Sequence, residues 1–129
     1  KNNSEHLRTI ETLAELYLLA DLTDKALALS QQYDLPNDTV HEIAHASLAK
    51  RPKASFNLYR QLCLLYPQLG SPKDYEACVE LLLELDRELT KQELWSEKFN
   101  HLLAELFDIF RHKEAFITLL QKHFPNARY

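Results

Sequence analysis

Glycine is almost missing from this chain of 129 residues, with Gly70 its single example, and methionine is absent altogether. Valine occurs twice and isoleucine four times. So few β-branched residues cannot fill the strands of an all-β sandwich or a doubly wound sheet. One glycine cannot build a Gly-rich phosphate loop. No run of eighteen apolar residues and no signal-type apolar opening is present, so a membrane partner is not expected. A basic excess is lacking too. Fifteen Lys and Arg stand against nineteen Asp and Glu, a net charge of −4, whereas nucleic-acid binding draws on cationic side chains. Cysteine is confined to Cys63 and Cys78, each in an apolar run, which reads as a pair of buried free thiols in a reducing, cytoplasmic setting.

What the chain does have is leucine and alanine, 26 and 12 of them. These are strong helix formers, and the expected class is all-α. Residues 1–129 read as a single helical-repeat domain, and the opening Lys1-Asn2-Asn3-Ser4, without an initiator Met, reads as part of a longer protein.

Apolar residues recur at helical spacing, and the breaks carry start signals. Ser4 is the expected cap of a first helix to about Ala20, with Leu7, Ile10, Ala14 and Tyr17 on one face. Thr23 should cap a second, holding Ala26, Leu27 and Ser30 inward. Asn37 or Asp38 should open a third, whose inner face is Val40, Ile43, Ala44, Ser47 and Leu48. Pro52 suits the first position of a fourth, which Pro67 and Gly70 close. Ser71-Pro72 starts a fifth with Tyr75, Cys78, Val79, Leu82 and Leu85 inward. Thr90 with Glu93 forms a capping box for a sixth through Trp95, Phe99, Leu102, Leu103, Leu106 and Phe110. After a break near Arg111-His112, a seventh carries Ala115, Phe116, Leu119, Leu120 and His123.

Several of these helices are apolar on more than one face, as helices sandwiched between neighbours are. Short connections make the seven helices antiparallel, and the expected architecture is stacked α-α hairpins, a tetratricopeptide-like superhelix. A weak internal echo supports repetition: Lys25-Ala26-Leu27 leading to Leu35-Pro36 parallels Glu114-Ala115-Phe116 leading to Phe124-Pro125, with Ala26 and Ala115 equivalent.

One catalytic pattern is present. His41-Glu42-Ile43-Ala44-His45 satisfies H-E-x-x-H on a predicted helix, where residues four apart share a face and can grip Zn²⁺ while the Glu acts as general base. A zinc-dependent hydrolase is therefore an alternative. Against it, nothing downstream completes the extended motif, and only Glu76 or Glu80 offers a third ligand. Such proteases also align substrate along a sheet edge that this composition does not supply. Two partly exposed histidines beside a core face are the simpler reading, with no metal, cofactor or catalytic residue.

Three further features bear on partners. Glu76, Glu80, Glu84 and Glu88 form a row at i,i+4 spacing, and each like-charge pair costs about 0.2–0.5 kcal/mol unless a cation offsets it. Arg60, Arg87, Arg111 and Lys113 are candidate cations within the chain. Otherwise Glu76, Glu80 and Glu84 mark a docking surface for a protein or another domain of the same chain. Lys50, Arg51 and Lys53 form a small basic cluster at a helix C-terminus, where cations complement the helix dipole and could touch phosphate. The aromatics Tyr17, Tyr59, Tyr66, Tyr75, Trp95 and Phe99 fall at core spacing rather than as a platform for bases.

Pro52-Lys53-Ala54-Ser55-Phe56-Asn57-Leu58-Tyr59-Arg60 is followed by Asp74-Tyr75-Glu76-Ala77-Cys78-Val79-Glu80-Leu81-Leu82, then by Trp95-Ser96-Glu97-Lys98-Phe99 and Arg111-His112-Lys113-Glu114-Ala115-Phe116. Over residues 20–123 this order resembles the helical C-terminal region of bacterial SWIM zinc-finger proteins. Those carry a Pro-x-x-Ala-x-x-x-Tyr helix, a Tyr-x-x-Ala-x-x-Leu-Leu helix and a final helix with Arg-x-Lys. In the first stretch Ala54 falls one place early, or Ser55 takes the Ala position. The zinc motif, Cys-x-Cys then Cys-x-His, is absent, so the resemblance implies a finger upstream of Lys1 and transfers no ligand residue. It implies a protein-interaction role, with nucleic acid reached through an accessory module or through regions outside this chain. The expected function is a non-catalytic scaffold.

Overall fold

In the computed structural model the backbone is described for residues 2–89 and 93–127, and the side chains for 5–89 and 94–127. The leucine and alanine excess does fold as helix. Among the described residues seven helices follow one another: α1 (Asn2–Leu19), α2 (Thr23–Gln32), α3 (Asn37–Ser47), α4 (Pro52–Leu69), α5 (Pro72–Leu89), α6 (Glu93–Ile109) and α7 (Glu114–His123). No strand occurs among the described residues, and the fold is all-α. No helix among them is long and apolar enough to cross a membrane.

The chain gathers into two compact units, Lys1–Leu58 and Tyr59–Tyr129, and the boundary falls inside α4. In the first unit α1, α2 and α3 pack against one another. Ile10, Ala14, Ala26, Leu27, Val40, Ile43 and Ala44 are buried there, which is the inner face expected from spacing. In the second unit α5 packs against both α6 and α7. Phe116 of α7 is fully buried and meets Tyr75 of α5 at 5.4 Å and Phe110, just past α6, edge-on at 5.6 Å. One ring thus ties three helices together, and Phe99 against Phe124 adds a second edge-on pair at 5.6 Å.

The helix ends show where local chemistry wins. Helix α1 stops in a Schellman turn: Asp21 N–H donates to Leu18 O at 3.1 Å and Leu22 N–H to Tyr17 O at 2.7 Å. Asp21 itself adopts φ 61°, the left-handed region usually left to glycine. At the end of α4 that role falls to Gly70, with φ 87°. Ser71 begins α5 as expected: its hydroxyl accepts from Asp74 N–H at 3.2 Å, and its own N–H donates to the Asp74 carboxylate at 3.1 Å. That reciprocal pair is a capping box with Asp in place of Glu.

Other expected caps are corrected. Thr23 lies inside the first turn of α2, whose N-cap is Leu22, while Asn37 opens α3 as expected, behind Pro36 as N-cap; neither N-cap makes a side-chain cap bond. Thr23 is buried instead, and the extended backbone of Pro36 sets the entry to α3. Ser4 falls within α1 rather than before it. The Thr90–Glu93 capping box lies outside the described residues. Pro67 does not close α4 but sits inside its last turns. In the internal echo, Leu27 and Phe116 are both buried, as are Leu35 and Phe124. Ala26 is buried and Ala115 exposed, so the alanines are not equivalent.

Candidate functional site

A row of glutamates four apart must share one face of a helix, because four residues return close to a full turn. On α5 the opposite side is occupied by Cys78, Leu82 and Leu85, all fully buried. The row therefore turns outward at Glu76, Glu80 and Glu88, which are exposed. Glu84 departs from the others. It is half-buried and accepts a hydrogen bond from the Tyr59 hydroxyl, whose ring is completely enclosed. Burial first, and then this carboxylate, push the Tyr59 phenol well above its ordinary range. Glu84 is thus an acceptor for Tyr59 and less exposed than Glu76 and Glu80, which stand one turn apart on the same face.

The cations proposed to neutralise the row do not reach it. Arg60 makes a two-pronged contact with Glu105 on α6, at 3.1 Å from Nε and 2.5 Å from Nη2. Arg87, Arg111 and Lys113 form no ion pair with Glu76 or Glu80 among the described residues. An exposed pair of carboxylates one helical turn apart is left without an ion pair among the described residues.

The basic cluster of the first unit behaves in the opposite way. Arg51 donates through Nε and Nη2 to both oxygens of Asp24 at 3.0 and 2.9 Å, and Lys50 lies 3.7 Å from Asp21. The hydrogen bond from Arg51 holds the Asp24 carboxyl below its usual range and raises the guanidinium in return. Two of the three cations are committed to acids of the α1–α2 turn and the start of α2, which leaves little for a phosphate.

His41, Glu42 and His45 do lie on one helix, α3, with His41 half-buried and the other two exposed. Among the described residues no group of three His, Cys, Asp or Glu side chains is placed to hold a metal ion. The buried face of this helix does something else. Leu48 N–H turns back to His45 O at 3.3 Å, which frees the Ala44 carbonyl for the hydroxyls of Ser47 at 3.2 Å and Ser55 at 2.5 Å. Both serines are fully buried; Ser55 fastens the start of α4 to the end of α3, while the Ser47 hydroxyl, which also donates to Ile43 O at 2.7 Å, stays within α3.

Cys63 and Cys78 are free and buried, as expected from their apolar runs. The Cys78 thiol donates to the Cys63 carbonyl at 3.3 Å, and the Cys63 thiol lies 4.0 Å from the Cys78 carbonyl. The neighbouring Cys78 thiol, and then burial, raise the Cys63 thiol well above its ordinary value, so it is held as the unreactive protonated form. Pro67, four residues after Cys63, has no N–H to return to that carbonyl, which is why a thiol can take the place.

Along the second unit α6 and α7 leave an open groove of about 290 Å³. Its floor is Ala104, Phe107 and Ile117, and Asp108, Arg111 and Gln121 form the rim. Spacing alone gave no signal for it, since the helices that form it also carry the core. Comparison with other proteins adds no relative: no family model, no curated protein and no solved structure matches this chain.

Proposed function

We propose that this chain is a non-catalytic helical interaction module whose docking surface includes Glu76 and Glu80, facing a basic segment of another protein or of another domain of the same polypeptide. The supporting observation is that these two exposed carboxylates stand one turn apart with no ion pair among the described residues, while Arg60 is engaged by Glu105. Repulsion within the row is relieved when a cationic partner arrives. In this reading the helices stack as tetratricopeptide-like hairpins, and the module is the helical part of a SWIM zinc-finger-type protein, as the ordered motifs from Pro52 to Phe116 suggest. The free thiols fit a reducing cytoplasm.

The test is titration of the chain with a short Lys-rich peptide. Reversing both carboxylates, Glu76→Lys with Glu80→Lys, is expected to remove binding with the thermal midpoint unchanged. Reversing the exposed Glu15 and Glu42 of the first unit should leave binding intact. If both double variants bind alike, the acidic row is not the docking surface. Glu84 is left untouched because its exchange would orphan the buried Tyr59 hydroxyl.

A further inference from the structure

The groove between α6 and α7 goes beyond the acidic row and involves none of its residues. Ala104, Phe107, Asp108 and Arg111 follow one another at helical spacing along α6 and the turn beyond it, and Ile117 and Gln121 face them from α7. Asp108 lies in the last turn of α6 and Arg111 in the turn beyond it, and neither forms an ion pair among the described residues. Both are exposed at the rim of an apolar floor. Two exposed, opposite charges that do not pair, beside an apolar hollow, are complementary to a ligand carrying the reverse charges around an apolar centre. The volume, about 290 Å³, falls just short of small-molecule sites, which run from about 300 to 1,000 Å³. It suits one large side chain rather than a cofactor.

We infer that this groove is an anchor site for a partner polypeptide. It takes one Leu- or Phe-sized side chain, flanked by a carboxylate that meets Arg111 and a cation that meets Asp108. Two helices presenting residues at i,i+3 and i,i+4 spacing are the geometry in which an amphipathic helix lays down its apolar anchors.

The probe is a blocked, alanine-rich helical peptide with one central Phe, a Glu three residues before it and a Lys four residues after it. Backbone amide shifts of the full chain are followed by NMR. The expected result is saturable shifts at Ala104, Phe107, Ile117 and Gln121, lost when the peptide Phe is replaced by Ala. Arg111→Glu and Asp108→Lys should each weaken binding about two- to five-fold, the range of exposed ion pairs. Both side chains are exposed, so the fold should persist, which circular dichroism checks. Shifts located elsewhere, or equal response to the Phe and Ala peptides, overturn the proposal. So does N-acetylphenylalanine amide binding as tightly as the peptide, which makes the groove a small-molecule pocket. The Glu76→Lys, Glu80→Lys variant should bind this peptide normally, so failure of the acidic-row reading and failure here are separately visible.

Discussion

Burial and the Glu84 carboxylate both oppose loss of the Tyr59 proton, which gives stability a definite dependence on alkaline pH. An unfolded chain releases a tyrosine proton near pH 10, while the folded chain holds it to higher pH. Below pH 10 both states carry the proton and the contribution is complete. Above it the unfolded state binds fewer protons than the folded one, so stability falls as pH rises. Cys63 acts in the same direction from about pH 9, the ordinary range for a thiol. Urea midpoints at pH 8, 9.5 and 11 should therefore decline steeply in the last interval. Tyr59→Phe should make that decline shallower, and an unchanged slope would show that the phenol is not held in its protonated form. None of this was readable from spacing. Tyr59 and Glu84 are 25 residues apart on different helices, and each fits its own pattern, one as core and the other as a solvated acid.

At the scale of elements, helix existence and facing were legible because apolar periodicity and the prolines at 52 and 72 act locally. The caps were legible only in part. Ser71 could cap because the proline after it fixes the first turn and Asp74 answers back. Thr23 carries the same chemistry but lies buried within the first turn of α2, whereas Asn37 opens α3 where its residue type placed the start. Asp21 shows a correctable misfit. A non-glycine residue in the left-handed region costs about 1–2 kcal/mol, part of which Asp recovers through its short polar side chain. Asp21→Gly is expected to raise stability by up to about 1 kcal/mol in a denaturant melt, even though the exposed contact with Lys50 is lost. A destabilised variant would mean that the side chain of Asp21, rather than its backbone, closes the turn.

For the molecule as a whole, the second unit depends on few, large contacts. Phe116 is fully buried against Tyr75 and Phe110, and truncation to Ala should cost about 3–5 kcal/mol. Leu at the same place should cost less than half of that. The chain's single tryptophan, Trp95, is buried in this unit and reports its unfolding by fluorescence. A midpoint that hardly moves in Phe116→Ala would contradict the packing described. The aromatic content of the core was visible beforehand as residue types at core spacing, but the partners were not, because ring-to-ring geometry depends on how three helices meet. The candidate surfaces divide likewise. The acidic row is a property of one helix and could be read along it, whereas the groove belongs to two helices and could not.

Pro67 has a consequence for what position 78 will accept. Because α4 has no amide of its own to offer the Cys63 carbonyl there, the neighbouring helix must bring a proton to it. A small side chain with a hydrogen to donate satisfies that demand, and serine would serve as cysteine does. Valine would fill the same space and leave a carbonyl stranded. The requirement at Cys78 is for its hydrogen more than for its sulfur, and it would vanish in a chain with alanine at position 67.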